Sequence, residues 1–258
     1  MFGIGAVTAF EIHLRFLWYY AIINFLSKRR IITVKRHKVG RGVIVLRMRK
    51  KPNLIPRMER CASLLEQQPQ SLRGKWLETY PGYRQLRLEL GCGKGRFTAD
   101  MAAQNPDVLF VALERVPDAM VVAMERVLER QLSNVRFLDL DAVHVAEVFA
   151  PGEVSRIYIN FPDPWRKTKQ YKRRLTAPSF LRLYAEVLTT EGEVELKTDN
   201  QPLFEWSLEQ FEQEKWSLSA LSRDRHANGP VGVLTDYEAK FCQQGIPINH
   251  CAAVRPGV

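Results

Sequence analysis

The chain has 258 residues, 46% of them hydrophobic, which suits one α/β domain with appendages or at most two domains. Residues 1–51 hold twelve lysines and arginines against one acid, Glu11, so they carry +11 of a formal charge of +10 and leave residues 52–258 at −1. A uniformly basic body is thereby excluded, and affinity for a polyanion has to come from local patches or from the N-terminal arm.

The apolar stretch Phe16–Ser27 is twelve residues long, short of the roughly 20 that a spanning helix needs, so no stable membrane insertion is expected. It also lacks the basic-start, apolar, small-residue order of a cleaved leader. A membrane-surface anchor beside Lys28, Arg29 and Arg30 is a competing reading. Residues 1–47 are otherwise read as a basic and apolar extension that need not be native, because the composition changes abruptly near Met48, a candidate initiator. Residues 48–84 read as a helical lead-in, and residues 85–258 as the main domain.

From Gln85 onward, strand-like and helical runs alternate. Leu86–Leu90 is a short alternating strand followed by glycines, and Val108–Leu113 is wholly apolar, as a buried parallel strand would be. Pro117–Leu132 has helical spacing and opens on proline, which favours a first turn. Val135–Leu138 and Ser155–Asn160 are the third and fourth strands, and Ala177–Leu188 is an amphipathic helix. Glu193–Thr198, Trp216–Leu221 and Ile246–Val254 are the remaining strands. The alternation predicts a parallel sheet wound on both faces. The last two strands are joined by a loop and a short helix, so one of them is expected to run antiparallel at that edge. Cys61, Cys92, Cys242 and Cys251 form no CxxC pair and have no histidine cluster beside them, which argues against a zinc site or a disulfide framework. A reducing cytoplasm is the simplest compartment.

Gly91, Gly93 and Gly95 lie between the first strand and the first helix, where glycine lets the backbone turn sharply and approach a ligand. Glu114 ends the second strand, 23 positions after Gly91, and Asp141 follows the third. Three readings compete: a generic strand–glycine–helix turn, a nicotinamide dinucleotide site, and an S-adenosylmethionine site. The spacing is GxGxG, a departure from the GxGxxG dinucleotide fingerprint. Glu89, just before the turn, would repel a pyrophosphate but suits a cationic methionine end. Alternatively, Glu114 is surface charge beside Arg115, and Asp141 is a helix cap.

The fourth strand runs into Asn-Phe-Pro-Asp-Pro-Trp (Asn160–Trp165) and then six basic residues in nine positions, Arg166 to Arg174. Pro162 and Pro164 lack amide donors and have fixed φ, and each pushes the residue before it, Phe161 and Asp163, toward extended backbone. The expected product is a stiff, acceptor-rich loop. The basic run by itself reads equally as a solvated face. Thr235–Glu238 has the spacing of a capping box, and Asp199 stands where it would cap the helix after the fifth strand.

Taken together, Leu88–Phe97, Phe161–Trp165 with Lys172–Leu175, Leu196–Asn200 and Thr235–Phe241 resemble, in order and spacing, the bacterial tRNA (guanine-N7-)-methyltransferase family. The resemblance runs from about Met48 to the end. Arg166 stands where family members commonly have proline, and Gln170 and Tyr171 lie where they often have histidine. The resemblance implies a Rossmann-like, seven-stranded, mostly parallel sheet with helices on both faces and an antiparallel edge strand, the class I methyltransferase fold. It implies methyl transfer from S-adenosyl-L-methionine to N7 of a guanine in the variable loop of tRNA, without a metal. It assigns cofactor contacts to Glu89, Gly91, Gly93, Glu114, Asp141 and Asp163, with Asp163 at the reaction centre. It assigns tRNA contacts to Lys167, Lys169, Lys172, Arg173, Arg174, Asp199, Thr235, Asp236, Tyr237 and Glu238. A cytoplasmic monomer or homodimer is expected. A non-catalytic RNA-binding protein on the same fold is the alternative.

Overall fold

The computed structural model describes residues 53–257, so the expectations for residues 1–47 lie outside the described residues. Seven strands form one sheet: β1 (Gln85–Leu90), β2 (Val108–Leu113), β3 (Val135–Leu138), β4 (Val154–Asn160), β5 (Leu188–Thr198), β6 (Ser217–Ser222) and β7 (Asn249–Val254). Their order across the sheet is β3-β2-β1-β4-β5-β7-β6. The first five run parallel, and β7 pairs antiparallel with both β5 and β6. The antiparallel strand expected at that edge is thus β7. It stands one place in, with β6 outside it.

Every side chain of β2 is buried, as a wholly apolar central strand requires. Cover comes from helices: α1 (Leu54–Arg60), α2 (Trp76–Thr79), α3 (Arg96–Gln104), α4 (Pro117–Glu129), α5 (Val145–Val148), α6 (Pro178–Val187), α7 (Gln201–Gln213) and α8 (Asp236–Gln243). Proline sits in the first turn of α4, α6 and α7, where its missing N–H leaves no helical bond unmade. Phe180, Leu181, Tyr184 and Val187 give α6 a single buried stripe at helical spacing. That stripe joins Leu88, Val111, Ile157 and Leu196 from the strands in one core.

The lead-in is tied to this core through Trp76. Its ring is fully buried, stacks 5.4 Å from Phe149, and donates its indole N–H to the Val148 carbonyl at 3.1 Å. Leu65 adds a parallel bridge beside Phe137 on β3, a pairing that no alternation in the lead-in sequence signals. The fifth strand is longer than expected. It begins at Leu188 and passes through Gly192 across a shift in its register with β4 between Val154 and Arg156. Such an irregularity hides a strand from a reading based on alternation.

Candidate active site

β1 and β4 are neighbours, but the chain leaves β1 toward β2 and leaves β4 toward β5. The connections diverge and open a crevice at the carboxyl ends of the two strands, the usual ligand site of such sheets. The glycine loop after β1 and the loop after β4 both border it.

Leu113 at the end of β2 accepts from the amides of Gly91 (2.9 Å) and Cys92 (3.0 Å), which fixes the start of the glycine loop. Gly91 and Gly93 take φ of 77° and 57°, and a Cβ on either would meet no atom of the described residues within 4 Å. Their backbone therefore presents a bare face to the crevice. Gly95 is held for packing: a Cβ there would stand 2.5 Å from Ala123 Cβ on α4. Glu114 clasps the loop, with one carboxylate oxygen accepting from Gly93 N at 2.9 Å and the other from Arg115 N and Val116 N at 2.8 Å. Asp141 accepts from Val143 N at 3.3 Å, which makes it a cap, and pairs with Arg115. Because β1, β2 and β3 are parallel and adjacent, Glu89, Glu114 and Asp141 follow one edge of the sheet.

Glu89 lies beneath this loop and is only 3% exposed. Its carboxylate accepts from the Thr98 hydroxyl on α3 and, at 3.0 Å, from Asn160 Nδ2 at the end of β4. Burial raises the Glu89 carboxyl above its usual range. The bonds from Thr98 and Asn160 and the charge of Lys197 pull it back only in part, and Glu114 adds repulsion.

Beyond Asn160 the chain departs from expectation. Phe161 was expected to be extended before Pro162, but it has φ of 50°, and Trp165 has φ of 42°. Left-handed backbone costs a non-glycine residue about 1–2 kcal/mol. Tertiary contacts hold it here: Phe161 N donates to the Lys197 carbonyl at 2.8 Å, and the Phe161 ring packs 6.1 Å from Tyr237 and 5.9 Å from Phe241. Between the two bends Asp163 is exposed, with no hydrogen bond or ion pair among the described residues.

The basic run divides. Lys167, Lys169, Lys172 and Arg173 are exposed on and beside a short 3-10 helix, Thr168–Arg173, and Arg166 is exposed ahead of it. Arg174, expected among the RNA contacts, is only 3% exposed. Its guanidinium lies 3.6 Å over Tyr171 and 4.5 Å over Trp206, and its Nε donates to the Pro164 carbonyl at 3.0 Å. Arg174 thus braces the loop that carries Asp163. Its planar group stacks where an ammonium could not.

The Thr235–Glu238 segment forms the expected capping box at the start of α8. Glu238 N donates to the Thr235 hydroxyl at 2.9 Å, and Thr235 N to Glu238 Oε2 at 3.0 Å. Glu238 itself is 0% exposed, so its carboxylate is engaged within the protein. It binds Lys197 Nζ and His226 Nε2, each at 2.8 Å. Val231 N donates to His226 Nδ1, so Nε2 carries the proton that His226 gives to Glu238. Lys197, 1% exposed at the end of β5, also donates to the Val233 carbonyl at 3.1 Å and lies 4.6 Å over the Phe97 ring. The buried network fastens α8 to the sheet and presents Tyr237, 63% exposed, beside Phe161. Asp236 pairs with Arg126 at 3.2 Å. Asp199 is exposed and is not the expected cap, because Asn200 takes that role by accepting from Leu203 N at 2.9 Å. Sequence reasoning missed Asn160, Lys197 and His226. The one available signal was Lys197, a lysine inside an otherwise strand-like run.

A family model described as "Putative methyltransferase" matches residues 83–251. The chain is 41% identical over 212 residues to the tRNA (guanine-N7-)-methyltransferase of Geobacillus thermodenitrificans, covering 82% of this chain and 98% of that one. A relative of the same name from Streptococcus suis is 42% identical over 178 residues, 69% of this chain and 84% of its own. The chain belongs to the tRNA (guanine-N7-)-methyltransferase family. Among solved structures, the 16S rRNA methyltransferase KamB superposes with a TM-score of 0.56 at 16% identity, covering 71% of this chain and 94% of that one. The antibiotic-resistance methyltransferase Kmr does so with a TM-score of 0.51 at 15% identity, covering 72% and 93%. At those identities the likeness establishes the fold.

Within this family member, two buried charges make different demands. A carboxyl raised in the folded state binds its proton more tightly folded than unfolded, so ionising Glu89 costs stability as pH rises from the usual carboxylate range through its raised value. Glu89→Gln is uncharged throughout. Without ligand it should melt a few degrees above the wild type at about pH 8, and the gap should narrow as pH falls toward about 5. Thermal unfolding across that range measures it, and a pH-independent gap would contradict the account. Glu238→Gln would strand the Lys197 ammonium and should cost about 3–5 kcal/mol. The half-exposed Asp236→Asn should cost no more than about 1 kcal/mol. Urea unfolding of the two variants compares them.

Proposed function

We propose that the protein transfers a methyl group from S-adenosylmethionine to N7 of a guanine in the variable loop of tRNA, with Asp163 orienting the base. The observation that carries the reading is the unpartnered, exposed carboxylate of Asp163, held between two left-handed bends at the rim of a glycine-lined crevice. The residues present fit the cofactor. Gly91 and Gly93 leave a bare backbone face, Glu89 supplies a buried carboxylate, and Asn160 Oδ1 is a buried acceptor without a partner among the described residues. Asp141 borders the same edge of the sheet, so Glu89, Gly91, Gly93, Glu114, Asp141 and Asp163 remain the candidate contacts. When bound, S-adenosylmethionine supplies a methyl group on a cationic sulfur, open to in-line attack.

Guanine N7 carries an in-plane lone pair and no proton, so no strong base is needed. The chain's task is to hold the base in line. Asp163 accepts from the N1–H and N2–H donors of guanine, a pair adenine lacks, and stabilises the positive charge that methylation leaves on the base. Reaching this site requires the guanine to leave its stack, and the Tyr237 ring beside Phe161 offers a face on which an extruded base can lie. Lys167, Lys169, Lys172 and Arg173 face the phosphates, and Asp199 and Asp236 are exposed within the same reading. A tRNA substrate implies the cytoplasm.

Transfer from labelled S-adenosylmethionine to unmodified tRNA, followed by mapping of the modified base, tests the reading. Label is expected on a variable-loop guanine. Asp163→Ala should lower kcat by about 10²–10³-fold, and wild-type rates in both Asp163→Ala and Asp163→Asn would sink the proposed role. Separately, tRNA affinity should fall with salt. The double variant Lys172→Ala/Arg173→Ala should reduce the slope of log affinity against log salt by about 1.5–2. An unchanged slope would rule out phosphate contact by these two residues.

A further inference from the structure

Asn160 is the last residue of β4, 9% exposed, and its two amide ends have opposite fates. Nδ2 donates to Glu89 Oε1 at 3.0 Å, while Oδ1 is buried without a hydrogen-bond partner among the described residues. A buried acceptor left unmade costs about 1–3 kcal/mol, so the chain is expected to keep one only where something else fills it. The orientation is not interchangeable. The Thr98 hydroxyl and Asn160 Nδ2 are both directed at the Glu89 carboxylate. Turning the amide over would set Oδ1 against that carboxylate and leave a donor stranded.

The missing partner has to be a donor, and the charge of Glu89 favours a cationic one. Among the described residues none supplies it. The nearby ammonium, Lys197 Nζ, is already bonded to Glu238 at 2.8 Å and to the Val233 carbonyl at 3.1 Å. The Arg115 guanidinium is taken by Asp141. The site lies between the glycine loop after β1 and the loop that carries Asp163.

We propose that Asn160 is a cofactor-binding residue whose Oδ1 accepts a hydrogen bond from the amino group of the methionine end of the methyl donor, while its Nδ2 holds Glu89 in place. This rests on the reading of S-adenosylmethionine as the donor. An ammonium group brings three N–H donors and a positive charge. It satisfies the unpaired acceptor and offsets the buried carboxylate together. A carboxylate or phosphate group does neither. Because Asn160 is also the root of the segment Phe161–Trp165, filling Oδ1 anchors that segment on the cofactor side, as the bond from Phe161 N to the Lys197 carbonyl anchors it on the other.

The test compares two ligands by titration calorimetry on the full chain. S-Adenosylhomocysteine keeps the amino-acid end, and 5′-methylthioadenosine lacks it. Asn160→Ala should weaken the first by about tenfold to a hundredfold, the range of a hydrogen bond to a charged group, and leave the second unchanged. Equal losses for both ligands would mean that Asn160 only shapes the crevice, and would overturn the proposal, as would no loss for either. A second measurement changes the ligand as well as the protein. On the wild type, an S-adenosylhomocysteine analogue lacking only the amino group should lose at least as much, and on Asn160→Ala removal of the amino group should cost about tenfold to a hundredfold less than on the wild type; additive losses would overturn the proposal. If the wild type binds neither S-adenosylhomocysteine nor 5′-methylthioadenosine, the donor reading fails together with this proposal. If it prefers S-adenosylhomocysteine and Asn160→Ala does not change that preference, only the proposal fails.

Discussion

β1 and β4 run side by side in parallel register, with Leu90 opposite Ile159, and their chains then leave in opposite directions. That divergence is the constraint on which the site depends. It opens a crevice that neither following helix can cover, and it brings together two segments that lie 69 residues apart, Gly91 and Asn160. The row of acids Glu89, Glu114 and Asp141 follows from the parallel pairing of β1 with β2 and of β2 with β3. Parallel neighbours end at the same level, so the residues just before or after each strand end form a row.

The carboxyl edge of the sheet carries two buried charges of opposite sign, and they are handled differently. Lys197 is paired with Glu238 and capped by carbonyl and ring contacts, so it needs nothing from outside. Glu89 has only neutral hydrogen bonds, and its carboxyl stays raised. The first arrangement fastens a helix. The second keeps an acceptor-rich pocket short of a cation, which is what a site for a cationic cofactor requires. A catalytic protein concentrates such unsatisfied groups where a ligand will complete them.

The departures from the family pattern gain a physical meaning in the same way. Tyr171, where histidine is common, forms one side of the stack that holds Arg174, and Arg174 in turn holds the Pro164 carbonyl. The substitution is absorbed into the support of the loop, and Asp163 is left free at its tip. Arg166 remains exposed and adds to the cationic face beside the crevice.

Strand periodicity, the proline starts of helices and the glycine loop were legible in the sequence because they are local: each depends on residues within one or two turns of one another. The capping box at Thr235 was legible for the same reason. The sequence also marked Asp163 as constrained, since two flanking prolines restrict the backbone wherever they occur. What it did not contain was the direction of each side chain across elements. Arg174 and Lys172 are indistinguishable as letters in a basic run, yet one is stacked in the interior and the other is in solvent. Glu238 resembles a surface acid of a helix start until Lys197 and His226, brought in from β5 and a loop, enclose it. Phe161 obeyed the packing of Tyr237 and Phe241 rather than the local preference of a residue before proline. The sequence by itself determined the strands, the turns and the chemical types available at the crevice. Only the tertiary structure decided which charges were buried, which were paired and which were left open, because burial and pairing depend on partners drawn from distant parts of the chain.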